Sequence, residues 1–314
     1  MKKSLVALAA LAVVGAASAQ SSVTLYGVVD AGVARVTGTK FAMTGSALMN
    51  NGTSRFGFKG SEDLGGGMKA LFNMEGGFSP EDGAGGFSGG QLFSRAANLS
   101  LAGNFGEFRM GRSLTPSFYG VAAWELTGTA NYSAVSSQFN FAGAGPRQSS
   151  QFMYVSPNMG GFSGALAYTA KPDNANASKI DGNLIYNAGP LAVGFSANRV
   201  DNTATTPKVS NYALGAKYSF GMFQVAGSVQ DPQGNAKGFT LGAGANLGPV
   251  SLVVDIARDT YFEDTNVLFE AKYPLSKRTF AYAAYLNDGS RAATATTVAV
   301  GRTRGASLGI RHNF

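Results

Sequence analysis

Residues 191–198 read LAVGFSAN, residues 212–219 read YALGAKYS, and residues 239–246 read FTLGAGAN. In each segment, apolar side chains occupy every second position, and small or polar residues occupy the positions between them. Because successive side chains of a β-strand point to opposite faces, the alternation predicts strands with one apolar and one polar face. A strand with lipid on one side and water on the other requires this pattern.

The same alternation recurs towards both ends of the chain. One apolar set near the start comprises Val23, Leu25, Val29 and Val33, and one at the end comprises Leu308, Ile310 and Phe314. Short turn signals alternate with eight longer polar stretches, at residues 37–53, 79–90, 113–148, 171–178, 201–208, 231–236, 259–265 and 287–302. Eight long loops between strand pairs imply sixteen strands. We therefore predict an all-β fold, a 16-stranded antiparallel transmembrane β-barrel that occupies residues 20–314 as one domain.

Composition restricts the chemistry that this chain can perform. It has no cysteine and one histidine, His312, so thiol nucleophiles, disulfides, zinc fingers and Ser-His catalysis have no basis in the sequence. No cofactor or metal site is expected, and we predict that the protein is not an enzyme. The formal net charge is +7, but the basic residues are scattered and form no run longer than two, so no nucleic-acid partner is expected.

The N-terminus has the three-part layout of a secretory signal peptide. Lys2 and Lys3 precede an apolar stretch over residues 5–17, and a small-residue site follows at Ala17-Ser18-Ala19. The apolar run is shorter than the ~20 residues that a membrane-spanning helix needs. We predict that residues 1–19 are cleaved on export and that the mature chain begins at Gln20.

Several short motifs resemble the general porins of Gram-negative bacteria, particularly those of β-proteobacteria. They are Val23-Thr24-Leu25-Tyr26-Gly27, Ser54-Arg55-Phe56-Gly57-Phe58-Lys59-Gly60, Tyr154-Val155-Ser156-Pro157, Tyr273-Pro274-Leu275-Ser276-Lys277 and Gly309-Ile310-Arg311-His312-Asn313-Phe314. The resemblance implies a homotrimeric outer-membrane channel whose third extracellular loop folds inward as a constriction loop. It also implies contact with outer-membrane lipid and lipopolysaccharide, and recognition of Phe314 by the barrel-assembly machinery. A diffusion channel conducts small hydrophilic solutes and inorganic anions or cations.

Strand parity identifies candidate channel-lining arginines. Assigning Phe56 and Phe58 to lipid turns Arg55 inward, and assigning Phe152 to lipid turns Arg147 inward. The resemblance matches Arg55, Arg95 and Arg147 to three wall arginines that face the inward loop. The inward assignment of Arg95 rests on the resemblance alone, because Arg95 shares its parity with the apolar residues Leu99 and Leu101.

Acidic candidates are fewer. Glu75 faces inward by parity, and Glu125 is the only carboxylate in residues 113–148, where enterobacterial relatives have more acids. Three arginines against one or two acids predict a positive constriction, and therefore passive diffusion with anion preference. The alternative is a solute-specific channel with a saturable site for an anion or small carboxylate.

Other polar residues are expected to line the lumen away from the constriction or to pair with one another. Tyr26, Asp30 and Lys59 are the foremost candidates. Lys69, Glu107, Arg109, Lys217, Glu270 and Arg311 share this interpretation, and their individual roles are left open.

Overall fold

The computed structural model describes residues 22–85, 90–171, 177–201, 209–232, 234–289 and 302–314. The predicted signal peptide lies outside the described residues. Sixteen long strands form a closed antiparallel barrel, and a short strand, β2, pairs with the first of them. The strands are β1 (Ser22–Val36), β2 (Ala42–Gly45), β3 (Arg55–Gly65), β4 (Met68–Gly77), β5 (Ala96–Gly103), β6 (Gly106–Leu114), β7 (Arg147–Val155), β8 (Phe162–Thr169), β9 (Lys179–Ala188), β10 (Leu191–Val200), β11 (Val209–Phe220), β12 (Phe223–Asp231), β13 (Gly238–Leu247), β14 (Val250–Asp259), β15 (Asp264–Pro274), β16 (Thr279–Asp288) and β17 (Thr303–Asn313). The predicted fold class is confirmed.

The first and last strands close the barrel. The N-terminal half of β1 pairs with β3, and its C-terminal half pairs with β17, from Val28 opposite Asn313 to Val36 opposite Gly305. Phe314 extends this seam, because its backbone exchanges two 3.0 Å hydrogen bonds with Gly27. Closure matters in a membrane, since lipid offers no partners for the free backbone groups of an open sheet edge.

The two faces of the barrel differ as the alternation predicts. On β1, Val23 is 67% exposed and Leu25 is 56% exposed on the outer face, whereas Asp30 on the inner face is fully buried. Exposed apolar side chains such as Leu308 and Ile310 continue around the outside. A barrel with an apolar exterior and a polar interior is suited to lipid outside and water inside.

The two ends of the barrel have different connections. One end has short turns, at residues 66–67, 104–105, 156–161, 189–190, 221–222, 248–249 and 275–278. The other end carries the longer connections, including residues 37–54, 78–95 and 115–146. The connection between β14 and β15 is shorter than residues 259–265 suggested, because Asp259 pairs with Asp264. In outer-membrane barrels the short turns are periplasmic and the long loops are extracellular.

Residues 115–146, which we call the constriction loop, fold into the barrel. They include two short helices that the sequence did not predict, α1 (Pro116–Ala122) and α2 (Ala134–Phe139), capped by the side chains of Thr115 and Ser133. No helix among the described residues is long and apolar enough to cross a membrane. Helix α1 packs on β9, β10 and β11, whereas α2 packs on β14, β15 and β16. The loop therefore occupies one side of the interior.

Two apolar clusters hold the constriction loop against the wall. In one, Trp124 and Val121 are buried with Ala213 of β11. In the other, Tyr132 and Phe139 of the loop are buried in a cluster with wall residues that include Ala257, Leu268, Ala284 and Leu286. Burial of these aromatic side chains favours a fixed position of the loop on the β9–β16 side.

Candidate channel constriction

Three arginines meet at the long-loop end of the barrel. Arg55 begins β3, Arg147 begins β7, and Arg95 immediately precedes β5. Because alternate strands of an antiparallel barrel start at the same end, these strand starts lie at one level. This level is opposite the wall that holds the constriction loop.

Glu75 of β4 joins the arginines. Its Oε1 lies 2.6 Å from Arg95 Nε, and its Oε2 lies 3.5 Å from Arg55 Nε. Arg147 Nε donates a 3.1 Å hydrogen bond to the backbone oxygen of Arg95. The structure thus brings together Arg55, Arg95, Arg147 and Glu75, a group with three positive charges and one negative charge.

Irregular backbone explains why parity was a weak guide to two of these arginines. Arg95 lies before β5, and its backbone N–H donates to the backbone oxygen of Glu75 at 3.0 Å. The alternation that turns Leu99 outward within β5 therefore does not extend to Arg95. The β6–β7 register shifts opposite Gly111 and Ser113, and Ser150 has a φ of 50°. Such a bulge adds one residue and breaks the alternation between Phe152 and Arg147.

A fourth arginine, which the sequence left without a role, lies beside this group. Arg311 Nη1 donates a 2.8 Å hydrogen bond to Asn51 Oδ1. A Cβ added to Gly52 would lie 2.9 Å from Arg311 Nη1 and 3.8 Å from Arg55 Nη1, so both guanidinium groups approach the same point of the chain. The pairing of β17 with β1, which sets Arg311 opposite Asp30, is the signal that could have indicated its height in the barrel.

Two cavities meet at the arginines. A cavity of about 590 Å³ lies on the long-loop side, and one of about 420 Å³ extends towards the short-turn end. Glu75, Arg95 and Arg147 line both cavities, so the charged group lies where the two cavities adjoin, at the level where the constriction loop narrows the interior. The constriction-loop residues that line the larger cavity carry no charge; its polar members are Thr129, Asn131, Ser136, Ser137 and Asn140.

Glu125 lies within the constriction loop and is only 3% exposed. Its carboxylate accepts hydrogen bonds from Thr127 Oγ1 at 2.5 Å, Ser133 Oγ at 2.8 Å and Thr129 N at 2.7 Å. No ion pair found among the described residues joins it to an arginine. Glu125 therefore shapes the loop from inside, and the structure does not bring it to the arginine wall.

The other predicted lumen residues separate into two environments. Tyr26 donates a 2.7 Å hydrogen bond to Asn73 Oδ1, and Lys59 Nζ lies 5.2 Å from the Tyr26 ring centre; Lys59 and Asn73 line the smaller cavity. Asp30 is instead covered. It accepts hydrogen bonds from Tyr282 Oη at 2.7 Å and from Asn50 Nδ2 at 2.9 Å. Asp30 thus holds the connection between β2 and β3 against the barrel wall.

Polar contacts also fasten the constriction loop. Asp181 of β9 accepts a 2.6 Å hydrogen bond from Ser117 Oγ. Tyr132 Oη donates to Glu270 Oε2 at 2.7 Å, and Lys272 Nζ donates to the Thr127 oxygen at 2.9 Å. Burial, reinforced by the nearby Glu270 carboxylate, raises the pKa of Tyr132, so its hydroxyl remains a donor over the physiological pH range.

A closed barrel with an apolar exterior, a loop folded inside and a charged narrowing between two cavities defines a channel-forming barrel of the outer membrane. The family model for the Gram-negative porins matches residues 5–293, and the chain belongs to that family. It is a porin of the Gram-negative outer membrane, through which small hydrophilic solutes diffuse passively.

Individual relatives agree with this assignment. The chain is 36% identical to outer membrane porin protein 32 of Delftia acidovorans, over 81% of this chain and 78% of the relative. The solved anion-selective porin from Comamonas acidovorans is 29% identical, with a TM-score of 0.77, and covers 94% of this chain and 100% of that one. A trimer form of OmpT from Vibrio cholerae shares the fold at 15% identity, with a TM-score of 0.64 over 94% of this chain and 99% of that one. The predicted resemblance to porins, with β-proteobacterial relatives among the matches, is confirmed.

Proposed function

We propose that this porin prefers anions, and that Arg55, Arg95, Arg147 and Glu75 form its selectivity site. The observation that carries the proposal is the charge of the narrowing. Three arginines and one glutamate leave a balance of two positive charges (3 − 1), and Arg311 lies beside them. Fixed charge in a narrow site with low-dielectric walls raises the local concentration of counter-ions.

The opposite side of the narrowing supports this preference. Hydroxyl and amide groups of the constriction loop line the larger cavity, and Glu125, the only carboxylate of that loop, is enclosed within it. The arginine charge is therefore not offset across the passage. The solutes that fit this field are chloride, phosphate and small carboxylates. The anion selectivity printed for the Comamonas acidovorans porin is consistent with the proposal.

Reversal potentials across a KCl gradient in planar bilayers test the proposal. The wild-type potential should indicate chloride preference, and Arg55→Ser, Arg95→Ser and Arg147→Ser should each lower the anion-to-cation permeability ratio about two- to tenfold, because each removes a charge from a focused field. Arg199→Ser is a matched control. It removes the same charge from a side chain that is 47% exposed at the loop end of β10.

Cation preference of the wild-type channel would contradict the proposal. Unchanged potentials in all three arginine variants would remove these side chains from the mechanism. Conductance that saturates with one anion, and is blocked by it, would instead favour the solute-specific channel.

We infer a non-catalytic role, since the arrangement at the narrowing is accounted for by binding and repelling ions.

We further propose that residues 1–19 are a cleaved export signal, that the barrel assembles as a homotrimer in contact with outer-membrane lipid and lipopolysaccharide, and that the barrel-assembly machinery recognises Phe314. Supporting this last role, Phe314 completes the seam of the barrel and is 44% exposed on the apolar outer face. Gel mobility before and after heating reports the trimer.

A further inference from the structure

A second segment besides the constriction loop reaches into the barrel. Residues 46–54, which we call the first-loop shelf, connect β2 to β3. Ala47, Leu48 and Gly52 of the shelf line the larger cavity, and Met49 is 1% exposed in the cluster that contains Tyr132 of the constriction loop. The wall of the larger cavity therefore includes the shelf as well as the constriction loop.

Hydrogen bonds to the barrel wall hold the shelf in place. Asp30 Oδ2 accepts a 2.8 Å hydrogen bond from Gly52 N, and Asp30 Oδ1 accepts one from Asn50 Nδ2. Asn50 Oδ1 in turn accepts from Thr44 Oγ1 at 2.9 Å. Because these groups are buried, breaking one of the hydrogen bonds leaves a polar atom with neither a protein partner nor water. This cost favours a single position of the shelf.

Asn51 lies between the two held residues and uses both ends of its amide. Its Oδ1 accepts the 2.8 Å hydrogen bond from Arg311 Nη1. Its Nδ2 donates to Tyr132 Oη at 2.9 Å and to Glu270 Oε2 at 3.4 Å. The side chain thus connects Arg311 of β17, Tyr132 of the constriction loop and Glu270 of β15, which lies two strands along the wall from β17.

We propose that Asn51 is a positioning residue of the constriction, which holds the Arg311 guanidinium beside Arg55 and couples it to the constriction loop. The sign of the expected effect rests on the anion preference proposed above. Arginine has a long side chain with many rotamers, and a hydrogen bond from its guanidinium group reduces the number of rotamers that it populates. With Asn51 in place, the charge of Arg311 acts at the narrowing.

Without the Asn51 oxygen, the described partners of the Arg311 side chain are weak. Asn313 Oδ1 lies 3.3 Å from Arg311 Nε, and the Phe280 ring centre lies 5.9 Å from Arg311 Cζ. Asp30, which faces Arg311 across the β1–β17 pair, already accepts hydrogen bonds from the shelf and from Tyr282. The guanidinium of an Asn51 variant should therefore move among several positions, and its mean field at the narrowing should fall.

A double-mutant cycle on the full-length porin tests the proposal. Reversal potentials in a KCl gradient are measured for the wild type, Asn51→Ala, Arg311→Ser and the double variant. Arg311→Ser should lower the anion-to-cation permeability ratio about two- to tenfold, and Asn51→Ala should lower it by a smaller factor in the same direction. If Asn51 acts through Arg311, Asn51→Ala should cause no further change in the Arg311→Ser background.

Controls separate positioning from damage to the barrel. Asn246→Ala removes an exposed amide from β13 and should leave the ratio at its wild-type value. Heat-dependent gel mobility shows whether each variant forms a barrel. Should Asn51→Ala fail to do so, Asn51→Ser takes its place, since a hydroxyl on the same Cβ cannot span the three partners and should produce the same shift.

Three results would overturn the positioning role: a wild-type ratio in folded Asn51→Ala, an unchanged ratio in Arg311→Ser, or fully additive effects in the double variant. Cation preference of the wild type would contradict the proposed function alone. Coupling between Asn51 and Arg311 would still be measurable. It would be shown if the two single variants shift the permeability ratio in the same direction and the double variant shifts it by less than the sum of the two.

Discussion

At the scale of the residue, much of the polar inner face secures the loop that narrows the barrel. Asp181 accepts from Ser117, Glu270 accepts from Tyr132, and Asn198 Nδ2 donates to the Ala142 oxygen at 2.8 Å. Glycine contributes by leaving room. A Cβ at Gly215 of β11 would lie 2.3 Å from Trp124 Cε2, so the indole ring rests directly on the strand backbone.

Gly215→Ala should displace the constriction loop. The added methyl group meets the buried Trp124 ring well inside van der Waals contact, so the ring has to shift off the β11 backbone into the barrel interior. Single-channel conductance in KCl should therefore fall. Gly227→Ala is the control, because its Cβ would have ordinary contacts, beginning at 3.4 Å from the Thr240 oxygen. Increased conductance in Gly215→Ala would contradict a loop held by this contact.

The sequence indicates only part of the site at this scale. Arg55 and Glu75 follow from the alternation of their strands, whereas Arg95 precedes its strand and Arg147 lies beyond a bulge, where parity carries no information. Asn51 could not have been identified, because its partners Tyr132 and Glu270 are distant in the chain and meet it only in the closed barrel. The burial of Glu125 depends on the fold of its loop in the same way.

At the scale of the element, the long strands were predictable because an apolar position recurs every second residue over most of the chain. The helices of the constriction loop were not, since α1 has seven residues and α2 has six. Helices of this length are marginal alone and form here by packing on the wall. Their cap residues, Thr115 and Ser133, are the local signals that could have indicated them.

The last strand depends on its final residue. Deletion of Phe314 removes two 3.0 Å backbone hydrogen bonds to Gly27 and the ring that packs over that glycine. The yield of heat-modifiable barrel in outer-membrane fractions should fall severalfold, because the seam is shortened and the proposed assembly signal is lost. Phe314→Tyr, which keeps an aromatic ring and the backbone pairing, should give near wild-type yield. Normal yield after the deletion would argue against both roles.

At the scale of the whole molecule, the electric field in the channel has two sources: the charges at the loop end of the barrel and the arginines at the narrowing. The chain has a formal net charge of +7, or +5 without Lys2 and Lys3 of the proposed export signal, and charges such as Arg258 lie at the loop end of the barrel. The arginines at the narrowing are shielded from bulk solvent, with side-chain exposures of 21% for Arg55 and 15% for Arg95. Salt screens exposed charges more strongly than enclosed ones.

Anion preference should therefore survive high ionic strength. The Debye length falls from about 30 Å at 0.01 M to about 3 Å at 1 M salt, so the contribution of the loops should disappear over this range. Reversal potentials are measured at a constant concentration ratio from 0.01 M to 1 M KCl. The anion-to-cation permeability ratio derived from them should decline with salt and then level off at a value that still favours anions. A decline to no selectivity at 1 M would assign the preference to the mouth of the channel, and Arg55→Ser would then change little.

Because the constriction loop is fastened along β9–β16, the passage runs off-centre, against the wall formed by β3 to β7. The aperture and the outer contour are thus set by different parts of the chain. Substitutions within residues 115–146 can change which solutes cross, while the outer surface of the barrel keeps its shape. A lineage under changing nutrient supply, or an engineer building a nanopore sensor, can alter the bore without rebuilding the cylinder.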